Sequence, residues 1–266
     1  MDGQLLGGGG DPVIVLNPHG KSQIVLVCEH AGRVIPPSLG NLGLSDGDLD
    51  RHFVWDIGAE SVARRLSATL DAPLILQRYS RLVYDCNRPP ESPDAMPVIG
   101  ELTPIPGNEG LSAGQKLDRI KSIYRPFHDA VSAVLDARAS EKRSAVLVTI
   151  HSFTPVFKGN RRNLHLGILH DRDSRFADRM LSVFGRTSDI VVKRNEPYGP
   201  KDGVCHTLNL HGGVRGLLNV MIEVRNDLIV EKAGQEKWGD CLADVLRQAV
   251  AENENSMQLT RAAAAM

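Results

Sequence analysis

Three short apolar segments constrain the fold of this chain more than any other feature. Each is rich in β-branched residues and long enough for a strand buried on both faces: IVLVC within 22–30, VLVTI within 144–151 and NVMIEV within 217–225. Amphipathic segments with helical spacing lie between them, over 48–70, 112–139 and 174–185. Strands that alternate with helices predict an α/β fold, and we expect a single three-layer α/β/α domain around a mixed, largely parallel central sheet.

The length and composition agree with that expectation. The 266 residues, 42% of them hydrophobic, are sufficient for one domain with a substantial core. We predict a flexible glycine-rich lead-in over 1–20, a catalytic domain over 21–253 and a flexible tail over 254–266. Further strands are predicted over 74–78, 81–86 and 163–171, and the proline-rich segment 89–112 is predicted as a loop that walls or covers a site.

Charge and cysteine content exclude several kinds of partner. The chain has 31 basic and 32 acidic side chains, which argues against a nucleic acid or an anionic membrane as partner. No apolar run approaches the roughly 20 residues of a membrane-spanning helix. The four cysteines are widely separated, which favours reduced thiols and a cytoplasmic location. The pattern gives no indication of the oligomeric state.

Chemically capable side chains stand at the ends of the apolar segments. Glu29 and His30 follow the first segment, His151 ends the second, and Glu223 lies in the third. Carboxyl ends of parallel strands meet at one edge of a sheet, where the ligand sites of α/β folds form. Similar residues end the other candidate elements: His52 and Asp56 on the first helix, then Arg81, Asp85, Asn87 and Arg88, and finally Arg225.

These residue types fit a metal-dependent hydrolase. Two imidazoles and a third nitrogen or oxygen ligand can hold a zinc ion with one coordination position open for water. A nearby carboxylate then accepts a proton from that water, and an arginine binds a substrate carboxylate through paired hydrogen bonds. No contiguous motif such as HExxH is present, so each histidine also has a structural interpretation. We interpret His128 as a helix-surface residue and the basic run 158–162 as a solvated turn.

Five blocks in order resemble the N-formylglutamate amidohydrolase family over roughly residues 22–250. They are CEHAGRVIPP, RHFVWDIGA, QRYSRLVYDCNRPP, TIHSFTP and IEVRNDLI. The resemblance implies a phosphorylase/hydrolase-like fold related to zinc carboxypeptidases and aspartoacylase-type deacylases. It also implies hydrolysis of N-formyl-L-glutamate to formate and L-glutamate, a reaction of histidine degradation. CEH stands where enzymes of that pathway typically have PH, which indicates a divergent branch and leaves the acyl group and the amino acid open.

The resemblance also implies a ligand set for one zinc ion. His30 and His151 correspond to the two zinc histidines of the family. The related folds have a glutamate three residues after the first histidine, but this chain has Arg33 there. We therefore expect His52 as the third ligand, with Asp56 or Glu29 as alternatives.

The remaining roles follow from the same resemblance. Glu223 corresponds to the general base and Arg81 to the arginine that polarises the scissile carbonyl. Asn87 and Arg88 correspond to the pair that binds the substrate carboxylate, and Arg225 is a further candidate for substrate binding. The substrate would be a small N-acyl amino acid. Two alternatives stay open: a deacylase or peptidase acting on another N-acyl amino acid or a short peptide, and a metal-free binding protein of the same fold.

Overall fold

The computed structural model describes residues 5–7, 10–186 and 189–264. Parts of the predicted lead-in and tail, residues 1–4, 8–9 and 265–266, lie outside the described residues. The strands are β1 (Val13–Leu16), β2 (Ile24–Cys28), β3 (Leu74–Gln77), β4 (Ile99–Gly100), β5 (Thr103–Pro104), β6 (Val146–Phe153), β7 (Val156–Phe157), β8 (Asn160–Arg161), β9 (Leu166–Leu169), β10 (Val192–Arg194) and β11 (Leu218–Arg225). The α-helices are α1 (Asp46–Leu49), α2 (Ala59–Leu70), α3 (Ala113–Arg119), α4 (Arg125–Ser140), α5 (Arg175–Phe184) and α6 (Lys232–Ala264).

Seven strands form a mixed sheet in the order β1-β3-β2-β6-β11-β9-β10. The four central strands, β3, β2, β6 and β11, run parallel to one another. β1 is antiparallel to β3, and β9 is antiparallel to β11 while β10 runs parallel to β9. The predicted α/β class with a largely parallel central sheet is confirmed.

Helices cover both faces of this sheet because its strands are apolar on both sides. In β2, Ile24, Leu26 and Cys28 face one buried cluster, whereas Val25 and Val27 face the other. Side chains of α2, α5 and α6 fill the first cluster. Side chains of α4 and of the long segments 42–54 and 79–86 fill the second. The core thus lies in two layers, one on each side of the sheet.

The observed elements differ from the predicted ones at both ends of the domain and at residues 81–86. β1 pairs with β3, so the sheet includes residues 13–16 of the predicted lead-in, and α6 continues into the predicted tail. Residues 81–86 form turns instead of a strand, since buried Ser80 accepts a hydrogen bond from the Leu82 backbone and donates one to the Val54 carbonyl. A short apolar run in a buried turn has the same pattern as a strand.

The helix predicted over 48–70 is divided, and the division positions the site. Its C-terminal part, α2, begins after Gly58, which has φ +81°. A Cβ atom at Gly58 would lie 2.2 Å from the Ile229 carbonyl oxygen, so this tight turn requires glycine. Residues 50–58 therefore lie in turns and carry His52 and Asp56 to the end of the sheet.

The interpretation of His128 as a surface residue is wrong, because its side chain is only 5% exposed. Its Nε2 atom lies 2.9 Å from the Cys86 carbonyl oxygen, to which it must donate, and its Nδ1 atom lies 2.8 Å from His211 Nε2. His211 in turn has its Nδ1 atom 3.5 Å from the Ser132 hydroxyl. Burial lowers the pKa of His128 to about 3 and that of His211 to about 4. Both rings are thus neutral members of a buried hydrogen-bonded chain.

This pair makes a testable contribution to acid sensitivity. Because the pKa values of both rings are lower in the folded protein, the unfolded chain binds more protons below about pH 6.5. The contribution of the neutral rings to folding stability is therefore complete above about pH 6.5 and is lost as the pH falls towards 4. Between pH 7 and pH 4.5 the free energy of unfolding of His128→Gln should fall by about 2 kcal/mol less than that of the wild type. Chemical denaturation at several pH values measures it. His19→Gln, at an exposed position, is the control, and equal slopes for all three proteins would contradict the prediction.

Among the described residues, no helix combines the length and apolarity that a membrane crossing requires.

Candidate metal site

Sheet register brings the first two functional side chains together. β6 and β11 are parallel neighbours, and Glu223 pairs with His151 in their register. Alternate residues of a strand face opposite sides of the sheet, so both side chains lie on the same face. His30 follows the adjacent strand β2 by two residues and arrives at the same end. The backbone N–H of Asp56 donates to the His30 carbonyl at 2.9 Å, which fixes the 50–58 segment against this strand end.

Three side chains converge on one point at this end of the sheet. The Nδ1 atoms of His30 and His151 lie 3.1 Å apart. Oδ2 of Asp56 lies 3.3 Å from the first and 2.9 Å from the second. All three residues are buried, and together they form a group that could hold a metal ion. The two histidines that the sequence predicted to converge therefore do so.

The second nitrogen of each imidazole faces a buried carboxylate. His30 Nε2 lies 2.7 Å from Asp85 Oδ1, and His151 Nε2 lies 3.1 Å from Glu29 Oε2. A metal-binding histidine usually donates its other N–H to such a carboxylate, which fixes the ring and its tautomer. The sequence singled out Asp85 and Glu29 as strand-end residues, but their contact with the histidine rings depends on the folded structure.

This arrangement of donors fits a divalent cation. The carboxylate beside each Nε2 atom favours a proton on that nitrogen, and each neutral ring then keeps a lone pair at Nδ1. Three electron-pair donors, the two Nδ1 atoms and Asp56 Oδ2, are then 2.9–3.3 Å apart, and a shared proton or a cation is needed to stabilise them. Ligands at 2.0–2.1 Å from a tetrahedral zinc ion are about 3.3 Å from one another, so the spacing suits zinc.

The electrostatics of the group point the same way. Burial would raise the pKa of Asp56, but the neighbouring His30 and His151 and the Arg81 charge hold it well below its usual range. The pKa of Asp85 is also held well below its usual range, because His30 and Arg81 outweigh its burial. Burial would lower the pKa of His151, but Glu29 and Asp56 raise it well above 6.5. The cluster therefore attracts positive charge strongly.

His52, the expected third ligand, lies on the other side of the Asp56 carboxylate. Its Nε2 atom is 3.8 Å from Asp56 Oδ1, whereas the two other histidines face Oδ2. Oδ1 also accepts a hydrogen bond from Arg81 at 3.2 Å. Burial lowers the pKa of His52 to about 4, so its ring is neutral. The geometry thus favours Asp56, the alternative, over His52 for the third position.

Arg81 and Glu223 complete the surroundings of the cluster. Arg81 joins two of its carboxylates, donating to Asp56 Oδ1 at 3.2 Å and to Asp85 Oδ2 at 3.1 Å. Burial raises the pKa of Glu223 to about 8; the Asp56 charge also raises it, while His151 and Arg81 oppose the shift. Its Oε2 atom is buried and has no hydrogen-bond partner among the described residues. Glu223 is therefore available to exchange a proton near neutral pH.

A cavity of about 290 Å³ opens at the cluster, which we call the inner cavity. Its lining includes His30, Asp56, His151, Glu223, His52, Arg81, Asn87, Arg88, Phe157 and Tyr198. This volume is near the lower end of the range for small-molecule sites. The residues that the sequence assigned to metal, catalysis and substrate thus share one cavity, with one exception.

That exception is Arg225. Although it follows Glu223 by two residues, its guanidinium donates to Asp227 at 2.8 Å and to the Leu164 carbonyl at 3.2 Å. It does not belong to the lining of the inner cavity.

Asn87 and Arg88 are held by the segment that follows the cis peptide at Glu196–Pro197. The Asn87 amide donates to the Val204 carbonyl at 2.6 Å and accepts from the Thr207 N–H at 3.1 Å. Arg88 donates to the Gly203 carbonyl at 3.0 Å. Asn87 thus uses both ends of its amide within the protein, whereas the five N–H groups of Arg88 leave donors for a ligand.

The basic run 158–162 is more than a solvated turn. The guanidinium of Arg162 lies 4.7 Å from the ring centroids of both Phe157 and Tyr198, two aromatic residues that line the inner cavity. Such cation–π contacts stabilise the arrangement of the rings. Sequence reasoning missed this contact, because no local signal distinguishes Arg162 from its neighbour Arg161.

The carboxylate support of His30 can be tested directly. Asp85→Asn keeps the shape of the side chain but removes the charge that faces His30 Nε2 and Arg81. We expect zinc affinity to fall roughly 10- to 100-fold, measured by competition with a chromophoric chelator. Asp240→Asn, which breaks an exposed ion pair with Arg65, should leave the affinity unchanged. Wild-type affinity in the first variant would refute a supporting role.

Fold and site together define a class of protein: an α/β domain with a candidate metal site of two histidines and an aspartate at the carboxyl ends of its parallel strands. The sequence model of the N-formylglutamate amidohydrolase family matches residues 22–230. The chain belongs to this family, and the resemblance stated from its motifs is confirmed.

Two solved structures are similar to this chain. Gene product Atu2144 from Agrobacterium tumefaciens is 50% identical, with a TM-score of 0.91, over 92% of this chain and 97% of that one. An N-formylglutamate amidohydrolase from Ralstonia eutropha JMP134 is 22% identical, with a TM-score of 0.58, over 92% of this chain and 100% of that one. At 22% identity, the Ralstonia structure shows that the fold is shared and no more. No curated protein sequence matches the chain.

Proposed function

We propose that this protein is a zinc-dependent amidohydrolase that cleaves the N-formyl bond of N-formyl-L-glutamate or the corresponding bond of a similar N-acyl amino acid. The observation that carries the proposal is the convergence of His30, Asp56 and His151 beside buried Glu223, in a chain of the N-formylglutamate amidohydrolase family. His30, Asp56 and His151 would hold one zinc ion. When bound, that ion would polarise the scissile carbonyl and lower the pKa of a water molecule from 15.7 towards about 7.

Glu223 would act as the general base and then as the general acid. Its Oε2 atom accepts a proton from the attacking water and later returns it to the leaving nitrogen. A pKa of about 8 belongs to the side chain without a cation nearby, and a divalent charge lowers it. Glu223 would then be ionised at neutral pH, as a general base must be.

The arginines would recognise charge on the substrate. Arg88 would bind the substrate carboxylate with the N–H groups that the carbonyls of Asn87, Asp202 and Gly203 leave free. Asn87 would contribute indirectly, because its amide fixes the loop at Val204 and Thr207. Arg81 would stabilise the oxyanion charge of the transition state while it holds Asp56 and Asp85 in place. A cytoplasmic location and a role in histidine degradation belong to the same proposal, and the four unpaired thiols agree with a reducing compartment.

Metal analysis combined with an activity assay tests the proposal. We expect about one zinc ion per purified chain and formate release from N-formyl-L-glutamate, lost on chelation and restored by zinc. N-acetyl-L-glutamate and a dipeptide tested in parallel separate an acylase from a peptidase. A protein without stoichiometric metal and without turnover of any of these compounds would instead be a binding protein of this fold.

A further inference from the structure

A second chamber adjoins the inner cavity, and we call it the outer chamber. Its volume is about 220 Å³. Five residues line both spaces: His52, Arg81, Arg88, Phe157 and Tyr198. The two spaces are therefore adjacent parts of one site. A formyl group has a single carbon, so the reaction attributed to the inner cavity leaves the outer chamber without a role.

Part of the chamber lining is apolar and held in position. Pro97, with Ile99 and Gly100 of β4, lines the chamber together with Phe157 and Tyr198. A Cβ atom at Gly100 would lie 2.4 Å from the Phe53 ring, so the β4–β5 hairpin packs directly on that ring.

Arg51 fixes the same hairpin from outside. It donates to the Thr103 hydroxyl at 2.6 Å and to Glu101 at 2.9 Å, and its guanidinium lies 4.8 Å from the Phe53 ring centroid. The wall is thus formed before any ligand binds, as expected for a binding pocket.

Exposed apolar side chains occur in the chamber lining and close to it in the chain. Ile99 lines the chamber and is 60% exposed, and Leu102, in the turn of the same hairpin, is 77% exposed. Val156, adjacent in sequence to the lining residue Phe157, is 47% exposed. A group of exposed apolar side chains around a cavity is typical of a surface that contacts an apolar ligand.

Arginines and carboxylates are arranged differently in the two spaces. Arg81 and Arg88 lie at the junction. Carboxylates line both sides of it: Asp85, Asp94 and Glu101 line only the outer chamber, and Asp56, Asp202 and Glu223 line only the inner cavity. Arg51 pairs with Glu101. A substrate carboxylate is attracted to Arg81 and Arg88 at the junction, and a divalent cation held by His30, Asp56 and His151 would offset the carboxylates of the inner cavity. The charged amino-acid part therefore belongs on the inner side. The part that extends past the junction must be uncharged.

We propose that the outer chamber is the acyl subsite and that the enzyme hydrolyses amino acids whose N-acyl group is apolar and longer than formyl. This inference rests on the proposed amide hydrolysis. In the reaction the amide C–N bond breaks, the water oxygen joins the acyl carbon to give a carboxylate, and the nitrogen leaves as the protonated amine. The chain beyond the acyl carbon exchanges water for the rings of Phe53, Phe157 and Tyr198 and the side chain of Ile99.

The test compares N-formyl-, N-acetyl-, N-butanoyl- and N-hexanoyl-L-glutamate, with glycyl-L-glutamate, on the zinc-loaded enzyme. Burial of a methylene group is worth a factor of roughly three to four, so we expect kcat/KM for the hexanoyl compound to exceed that for the formyl compound at least about 10-fold. Ile99→Asp should reduce this ratio towards one. Val214→Asp, at a remote position that is 79% exposed, is the matched control and should preserve the ratio.

The possible failures are distinguishable. Turnover of the formyl compound that declines steadily with acyl length would overturn the acyl subsite and leave the proposed function intact. A preference for glycyl-L-glutamate would overturn it by showing that the chamber accepts a cationic aminoacyl group. An equal loss for all compounds in Ile99→Asp would also overturn it. The absence of turnover with every compound would contradict the proposed function itself.

Discussion

A Glu223→Gln variant is expected to retain zinc and to lose kcat by roughly 100- to 10,000-fold. The amide has the shape of the carboxyl group but cannot accept the proton of the attacking water. Burial raises the pKa of Glu223 to about 8, so in the metal-free protein at pH 7 the side chain is mostly neutral, like the amide. The free energy of unfolding of the metal-free variant should therefore differ little from that of the wild type.

Three measurements decide this prediction: zinc content, kcat with the best substrate and thermal unfolding. Glu60→Gln is a matched control, because Glu60 pairs with Arg64 on α2 outside the inner cavity and should leave all three unchanged. Normal turnover in Glu223→Gln would exclude the residue as the general base. Loss of zinc together with activity would instead assign Glu223 to the metal site.

The strand-end histidines could be predicted because their signal is local. His30 and His151 each adjoin a run of apolar residues that forms a buried parallel strand, and parallel strands place their carboxyl ends together. The same reasoning located Glu223, whose register with His151 follows from the parallel pairing of β6 and β11. The fold class followed from the alternation of strands and helices for the same reason.

The choice between His52 and Asp56 could not be made from the sequence, because it depends on a turn. A continuous helix would place both side chains on one face. The chain instead breaks at Gly58, and the close approach to Ile229 that requires this glycine joins residues 171 positions apart. The burial of His128 could not be predicted from the sequence for a similar reason. The amphipathic pattern of its helix does not show which distant residues pack on its polar positions, and here His211 and the Cys86 carbonyl do so.

An Asp56→Asn variant is expected to lose more than about 100-fold in zinc affinity, whereas His52→Gln is expected to bind zinc as the wild type does. The Asp56 carboxylate oxygen lies within 3.3 Å of two imidazole Nδ1 atoms, a position from which it could bind the same metal ion. Loss of a ligand should reduce the affinity more than loss of a supporting residue does. His52 faces the opposite oxygen of the same carboxylate and stays neutral, with a pKa of about 4.

Zinc dissociation constants measured with a chromophoric chelator separate the two residues, with thermal unfolding of the metal-free proteins as a check on folding. Asp56→Asn leaves Arg81 paired with Asp85 alone, so some loss of stability is expected in that variant. The measurement on His52→Gln is decisive even then, because His52 Nε2 lies 3.8 Å from the Asp56 carboxylate, which is too far for a hydrogen bond whose loss would disturb Asp56. A large loss of zinc in His52→Gln, with zinc retained in Asp56→Asn, would return the third ligand to the histidine and place Asp56 among the residues that support it.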